Sequence, residues 1–193
     1  MAKFQINYEI LDADENKRDG IPYQEYIEWI ETVVYAFFAV ILVFTFIVRQ
    51  VTVDGRSMVP TLEDGDKLIV QHLMYTPARG DIVVIDSQSL GKPLIKRVIA
   101  CGGDTIDIDF NSGTVTVNGE VLHEDYIKDL TQLDEGGQTY PVTVPSGYYF
   151  VMGDNRMDSL DSRSSQVGLV SEDEIMGKAR FRLWPASGIG SVN

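Results

Sequence analysis

Thr114-Val115-Thr116-Val117-Asn118-Gly119-Glu120-Val121-Leu122 reads as a β-hairpin. Val115 and Val117 alternate with threonine before Asn118-Gly119, and Val121 keeps the alternation after it. That dipeptide tolerates the positive φ angles of a type I′ turn, the turn whose twist matches two antiparallel strands.

The same period of two runs outward in both directions. Asp81-Ile82-Val83-Val84-Ile85 is a short β-branched run, and Ile106, Ile108 and Phe110 alternate with Asp107 and Asp109. Val142 and Val144 alternate before Pro145, residues 148–152 form another strand, and Ala179, Phe181 and Leu183 alternate with Arg180 and Arg182. The only helical signal beyond residue 50 lies near 171–175. Short strands between recurring turn signals predict a mainly β fold, an antiparallel β-barrel or sandwich, over residues 51–193.

Before this domain the character changes. Residues 32–48 (TVVYAFFAVILVFTFIV) are 17 positions without a charge. As a helix they span ~25 Å, and Trp29, Ile30, Val51 and Val53 extend the apolar reach toward the ~30 Å of a bilayer core. No face of such a helix is polar, which argues against a buried core helix. A cleaved signal peptide needs a short basic start and a small-x-small exit. Here the start is long and acidic, with eight acidic and three basic residues in 1–31, and the exit reads Ile47-Val48-Arg49-Gln50. The expectation is an uncleaved transmembrane anchor over 32–50, preceded by an acidic segment over 1–31. That segment contains a helical lead-in after Pro22, with Tyr23, Tyr26, Ile27 and Ile30 at helical spacing. Basic residues flank the anchor on both sides, so charge leaves its orientation open.

Composition excludes several functions. A net charge of −13 gives nucleic-acid binding no electrostatic support. The single cysteine, Cys101, cannot form an intramolecular disulfide and reads as a small apolar residue. No Cys/His cluster has zinc spacing, and no cofactor is expected. The run from Gly153 to Arg163 does not fit a calcium loop, because Arg156 takes a ligand position, Ser159 the required glycine and Ser165 the closing glutamate. It fits a polar loop braced by carboxylate–guanidinium pairs.

Three places could carry chemistry. Gly55-Arg56-Ser57-Met58-Val59-Pro60-Thr61 holds a serine in a constrained turn, where a nucleophile and backbone N–H groups can face one point. From spacing alone, a turn with a structural serine is the favoured reading. A base is then needed. His72 and His123 are the only histidines. A lysine can serve if burial lowers its pKa. Lys96, in Pro93-Leu94-Ile95-Lys96-Arg97-Val98-Ile99, lies in an otherwise apolar strand. Alternation puts either Lys96 or Arg97 on a buried face, and a solvated edge-strand lysine is the competing reading.

The order of these elements resembles the type I signal peptidases, in their short Gram-positive bacterial form. The elements are the anchor, Ser57-Met58-Val59-Pro60-Thr61, Gly80-Asp81-Ile82-Val83, Lys96-Arg97-Val98-Ile99 with Gly103-Asp104, and Gly153-Asp154-Asn155-Arg156 with Ser159, Asp161, Ser162 and Arg163. The resemblance covers about residues 30 to 185. It implies a membrane-bound serine endopeptidase that removes signal peptides from secreted pre-proteins after small-x-small sites. Ser57 would attack and Lys96 would act as general base. Ser159 would hydrogen-bond the lysine, Asp161 and Arg163 would form a bracing ion pair, and Asp154, Asn155 and Arg156 would shape the loop.

Many relatives place a second serine, an oxyanion donor, two residues before the nucleophile; this chain has Gly55 there. Substrates would add as an extended strand between residues 51–55 and 93–95, with Val53, Met58 and Ile95 as shallow pocket walls. The implied partners are signal peptides, membrane lipid and, transiently, the secretion translocon. The implied location is the cell membrane, single-pass, with the N-terminus cytoplasmic and the catalytic domain extracytoplasmic. Eight residues separate Val48 from Ser57, a reach of at most ~29 Å, which keeps the active site near the bilayer.

Two other functions compete. Self-cleaving Ser–Lys proteins of the SOS-repressor kind share β-architecture but carry a DNA-binding domain in place of an anchor. A non-catalytic, membrane-tethered β-domain for binding or scaffolding leaves Lys96 no reason to be buried. The Ser57 to Lys96 distance separates these readings.

Overall fold

Asn118 and Gly119 have φ of 57° and 82°, the positive values a type I′ turn requires. The hairpin they close joins β6 (Thr114–Val117) to β7 (Glu120–Val121), with Val117 opposite Glu120. The computed structural model describes residues 23–192. The other elements are helix α1 (Tyr23–Ile47), β1 (Val48–Thr52), β2 (Lys67–Gln71), β3 (Ile82–Ser87), β4 (Lys92–Cys101), β5 (Thr105–Asp109), β8 (Val142–Thr143), β9 (Tyr148–Met152), β10 (Val170–Ser171), β11 (Ile175–Trp184) and β12 (Gly190–Ser191). The helical signal near 171–175 is a single 3₁₀ turn, Glu172–Glu174, where the Ser171 N–H donates to Glu174 Oε2 at 2.9 Å.

All strand pairs are antiparallel. One sheet runs β1-β2-β11-β3-β4-β9-β10, with β12 on β11, and the other runs β7-β6-β5-β8. The barrel alternative is thereby corrected: the larger sheet is open, because among the described residues β1 pairs only with β2 and β10 only with β9.

The larger sheet is covered on both faces over β3, β4 and β9, which explains their unbroken apolar runs. In β9, Phe150 and Met152 join a cluster with Ile99, Ile106, Ile108, Val115 and Val117, which cements the two sheets. Tyr149 and Val151 point the other way, to Val83, Ile85, Leu94 and Val98. A third cluster, Val53, Met58, Leu62, Leu68, Ile82, Ala179 and Val192, lies beneath the Ser57 turn. Each fully buried Leu, Ile, Phe or Met here contributes ~1.5–3 kcal/mol relative to exposure.

The chain divides into two units, residues 1–42 and 43–193. In the first, every described side chain of α1 from Tyr26 to Ile41 is exposed, Trp29, Ile30, Val33, Tyr35 and Phe37 included. The expected span at 32–50 runs through 42–48, whose side chains lie outside the described residues, as does most of the acidic segment 1–31. Among the described residues no helix is long and apolar enough to cross a membrane.

Candidate active site

The serine turn is tied down at both ends. The Val53 N–H donates to Asp66 O at 2.8 Å and the Gly65 N–H to Val53 O at 2.9 Å. The Gly55 N–H donates to Asp64 Oδ1 at 2.9 Å. Gly55 has φ +92°, a conformation L side chains rarely adopt, although nothing would touch a Cβ there. Past the serine, the Leu62 N–H donates to Met58 O at 2.9 Å, and Met58 and Leu62 are buried beneath. The turn is a rigid shelf, and Ser57 stands on it half-buried.

Lys96 Nζ lies 2.7 Å from Ser57 Oγ and donates to Ile95 O at 3.1 Å. Only 3% of Lys96 is exposed. Burial lowers its pKa to about 8, against the opposing pull of the Asp161 and Asp154 carboxylates, and Lys92 adds a smaller lowering push. Alternation predicted that one of Lys96 and Arg97 would be buried; both are, because β4 is packed on both faces. The Arg97 guanidinium grips Asp154 through Nε (2.8 Å) and Nη2 (2.7 Å), donates to Gly80 O and lies 4.0 Å over the Tyr126 ring.

The loop from Gly153 to Arg163 is buried except at Met157, Asp158 and Leu160. Asp161 accepts from Arg163 Nε and Nη2, both at 2.9 Å, from the Gly153 N–H at 3.0 Å and from the Ser159 hydroxyl at 2.8 Å. The expected Asp161–Arg163 contact is therefore present. The expected Ser159–Lys96 hydrogen bond is not: among the described residues Lys96 Nζ bonds Ser57 Oγ and Ile95 O, and the Ser159 hydroxyl donates to Asp161. Asn155 reaches the serine turn directly. Its backbone N–H donates to Ser57 O at 3.0 Å and its Nδ2 to Arg56 O at 3.1 Å.

A groove of about 260 Å³ runs along the dyad. One wall is residues 51–58 and the other 92–96, and Asp158 and Leu160 complete the lining. Among the described residues β1 pairs only with β2, and β9 joins β4 only from Arg97 onward, so each wall has an edge with no strand on it. Val53, Met58 and Ile95 line it together and pack in one apolar cluster. Neither histidine reaches it. His72 Nδ1 lies 2.6 Å from Met176 O, and His123 is exposed beside Asp125.

Sequence reasoning missed the long-range braces. Glu124 holds the Arg156 guanidinium through Nη1 (3.0 Å) and Nη2 (2.5 Å), Thr131 Oγ1 lies 2.6 Å from Nη1, and Thr61 donates to Asp154 Oδ2 at 2.5 Å. Only the density of charged residues in the 153–163 loop hinted at such partners.

A sequence model of the family described as "Signal peptidase, peptidase S26" matches residues 26–184. The chain belongs to this family. It is 37% identical over 169 residues to signal peptidase I T of Bacillus subtilis, covering 83% of this chain and 86% of that one. It is 35% identical over 181 residues to signal peptidase IB of Staphylococcus aureus, covering 85% and 92%. Among solved structures it is similar to a signal peptidase I of Enterococcus faecalis, at 31% identity, TM-score 0.44 and coverage of 54% and 97%. The serine turn, the lysine strand and the 153–163 loop of this S26 peptidase all fall inside the matched residues.

Proposed function

We propose that this S26 chain is a signal peptidase: a serine endopeptidase that removes signal peptides from pre-proteins by a Ser57–Lys96 dyad. The observation that carries the reading is the 2.7 Å approach of a buried Lys96 amine to the Ser57 hydroxyl at the floor of an open groove. A lysine with pKa near 8 is partly neutral at physiological pH and can accept a proton, which an exposed lysine cannot do.

Ser57 Oγ attacks the scissile carbonyl while its proton passes to Lys96 Nζ. The developing oxyanion is held by the Ser57 N–H. Collapse breaks the C–N bond, the Lys96 ammonium gives its proton to the departing amine, and an acyl-enzyme remains. Water, deprotonated by Lys96, then attacks the ester and releases Ser57. Ser159, Asp161 and Arg163 support the site by fixing the loop behind it, and Gly55 supplies the turn conformation.

The substrate lies extended between residues 51–55 and 93–95, bonding to both free edges as an added strand. Val53, Met58 and Ile95 close the pockets to all but small side chains. The groove mixes these apolar walls with the charged residues Asp54, Arg56, Lys92 and Asp158.

The membrane arrangement belongs to the same proposal. Residues 32–50 anchor the chain, 1–31 stay cytoplasmic, and 51–193 work outside, meeting signal peptides as they leave the translocon. Exposed Leu73, Met74, Phe181, Leu183, Trp184 and Ile189 support contact with lipid. Leu73 and Met74 follow closely on Gln71, which pairs with Val48 at the start of β1.

The test is cleavage of a pre-protein by the full chain in detergent. Ser57→Ala and Lys96→Ala should each lower cleavage at least 10³-fold. Undiminished cleavage by either variant overturns the dyad.

A further inference from the structure

The oxyanion hole of this chain lacks a side-chain donor at Gly55, so the orientation of the serine turn's own peptide groups decides how well it works. Asn155 holds two consecutive carbonyls of that turn, Arg56 O through Nδ2 and Ser57 O through its backbone N–H. In a trans peptide the C=O and the following N–H point in opposite directions. Fixing Arg56 O toward the 153–155 loop therefore turns the Ser57 N–H away from it, and fixing Ser57 O does the same for the Met58 N–H. Residues 153–155 do not line the groove, whereas 56–58 do. Among the described residues neither the Ser57 nor the Met58 N–H donates to another protein group.

The Asn155 side chain is built for this and little else. Only 1% of the residue is exposed, and its Oδ1 is buried with no partner. Reversing the amide would not help, since it would aim Oδ1 at Arg56 O, acceptor against acceptor. A buried, half-satisfied amide opposes folding. Its one side-chain bond is to the peptide carbonyl that sets the Ser57 N–H.

We propose that Asn155 is a positioning residue for the oxyanion hole: by holding the Arg56 and Ser57 carbonyls it aims the Ser57 N–H at the position where the scissile oxygen becomes negative. The inference rests on the Ser57–Lys96 reading. Ser57 and Lys96 supply nucleophile and base; Asn155 touches neither substrate nor proton and acts through the backbone.

The experiment uses the full chain in detergent with a cleavable pre-protein peptide and a peptide aldehyde of the same sequence, whose adduct on Ser57 is tetrahedral. Asn155→Ala and the milder Asn155→Ser are compared with wild type and Ser57→Ala, with thermal melting as a check on folding. The expected result is a fall in kcat of about 10- to 100-fold with KM within twofold, and a matching loss of aldehyde affinity, in a variant melting close to wild type. An unchanged kcat, a loss confined to KM, or a lower kcat with unchanged aldehyde affinity, in whichever variant folds, overturns the role of Asn155. Activity surviving in Ser57→Ala overturns instead the dyad on which it rests.

Discussion

Arg97 and Asp154 form a two-pronged ion pair sealed inside the protein, at 2.8 and 2.7 Å, with 3% and 0% of their side chains exposed. It joins the strand that carries Lys96 to the loop that carries Asn155. Asp154→Ala leaves the guanidinium buried without its counter-charge, which costs ~3–5 kcal/mol. The expected result is a large drop in the urea midpoint of the full chain, together with loss of cleavage. A loss below ~1 kcal/mol would show the pair to be dispensable.

The dyad sets the pH dependence of the reaction. The lysine must be neutral to accept the serine proton, and burial lowers its pKa to about 8. The rate kcat/KM should therefore rise ~tenfold per pH unit below that value and level off above it. A profile flat from pH 6 to 9 would exclude Lys96 as the base.

The same burial opposes folding. Between pH 8 and the ordinary lysine range the unfolded chain binds a proton that the folded chain does not, so stability rises with pH across that window. Below pH 8 both states are protonated and the folded state carries the full cost. Lys96→Met should thus inactivate the enzyme yet stabilise it at pH 7 by about 3 kcal/mol, a gain that shrinks toward pH 10. Denaturant titrations of both proteins at pH 7 and 9.5 test the sign.

Gly153 is required for closeness rather than for backbone freedom. A Cβ there would lie 2.2 Å from Ser159 Oγ and 2.5 Å from Ser57 O. Neither the tightly bonded Ser159 nor the serine turn can retreat. Gly153→Ala should reduce kcat more than 100-fold and destabilise by ~1–3 kcal/mol. Retained cleavage would mean the loop can move away from Ser57.

How far the sequence was legible follows from the range of each interaction. The hairpin at 114–122 is local, because its turn needs only Asn118 and Gly119. The Asp161–Arg163 pair is local too, two residues apart. Arg97–Asp154 and Arg156–Glu124 join residues 57 and 32 apart, and no periodicity links them. Alternation could not tell that β4 is covered on both faces, so it offered a choice between Lys96 and Arg97 when both are buried. The Ser159–Asp161 hydrogen bond is as local, two residues apart, but the Ser57–Lys96 approach spans 39 residues and no periodicity shows it.

Of the groove-lining residues Val53, Met58 and Ile95, the first two are core residues, and Ile95 is only partly buried against them. Ile95 is therefore the wall that can be trimmed without emptying the core. Ile95→Ala removes three carbons beside the groove and should admit a valine where the wild type takes alanine. Methylene-scale differences in an apolar pocket are worth ~10–200-fold in discrimination. The expected outcome is a gain of at least ~10-fold in kcat/KM for peptides with Val at −1 or −3, with less than threefold change for the Ala-x-Ala parent. Competition between the two peptides, read by mass spectrometry of the cleaved ends, measures the ratio directly. If the ratio is unchanged while Val53→Ala alters it, the selective wall is the serine side of the groove and not the lysine strand.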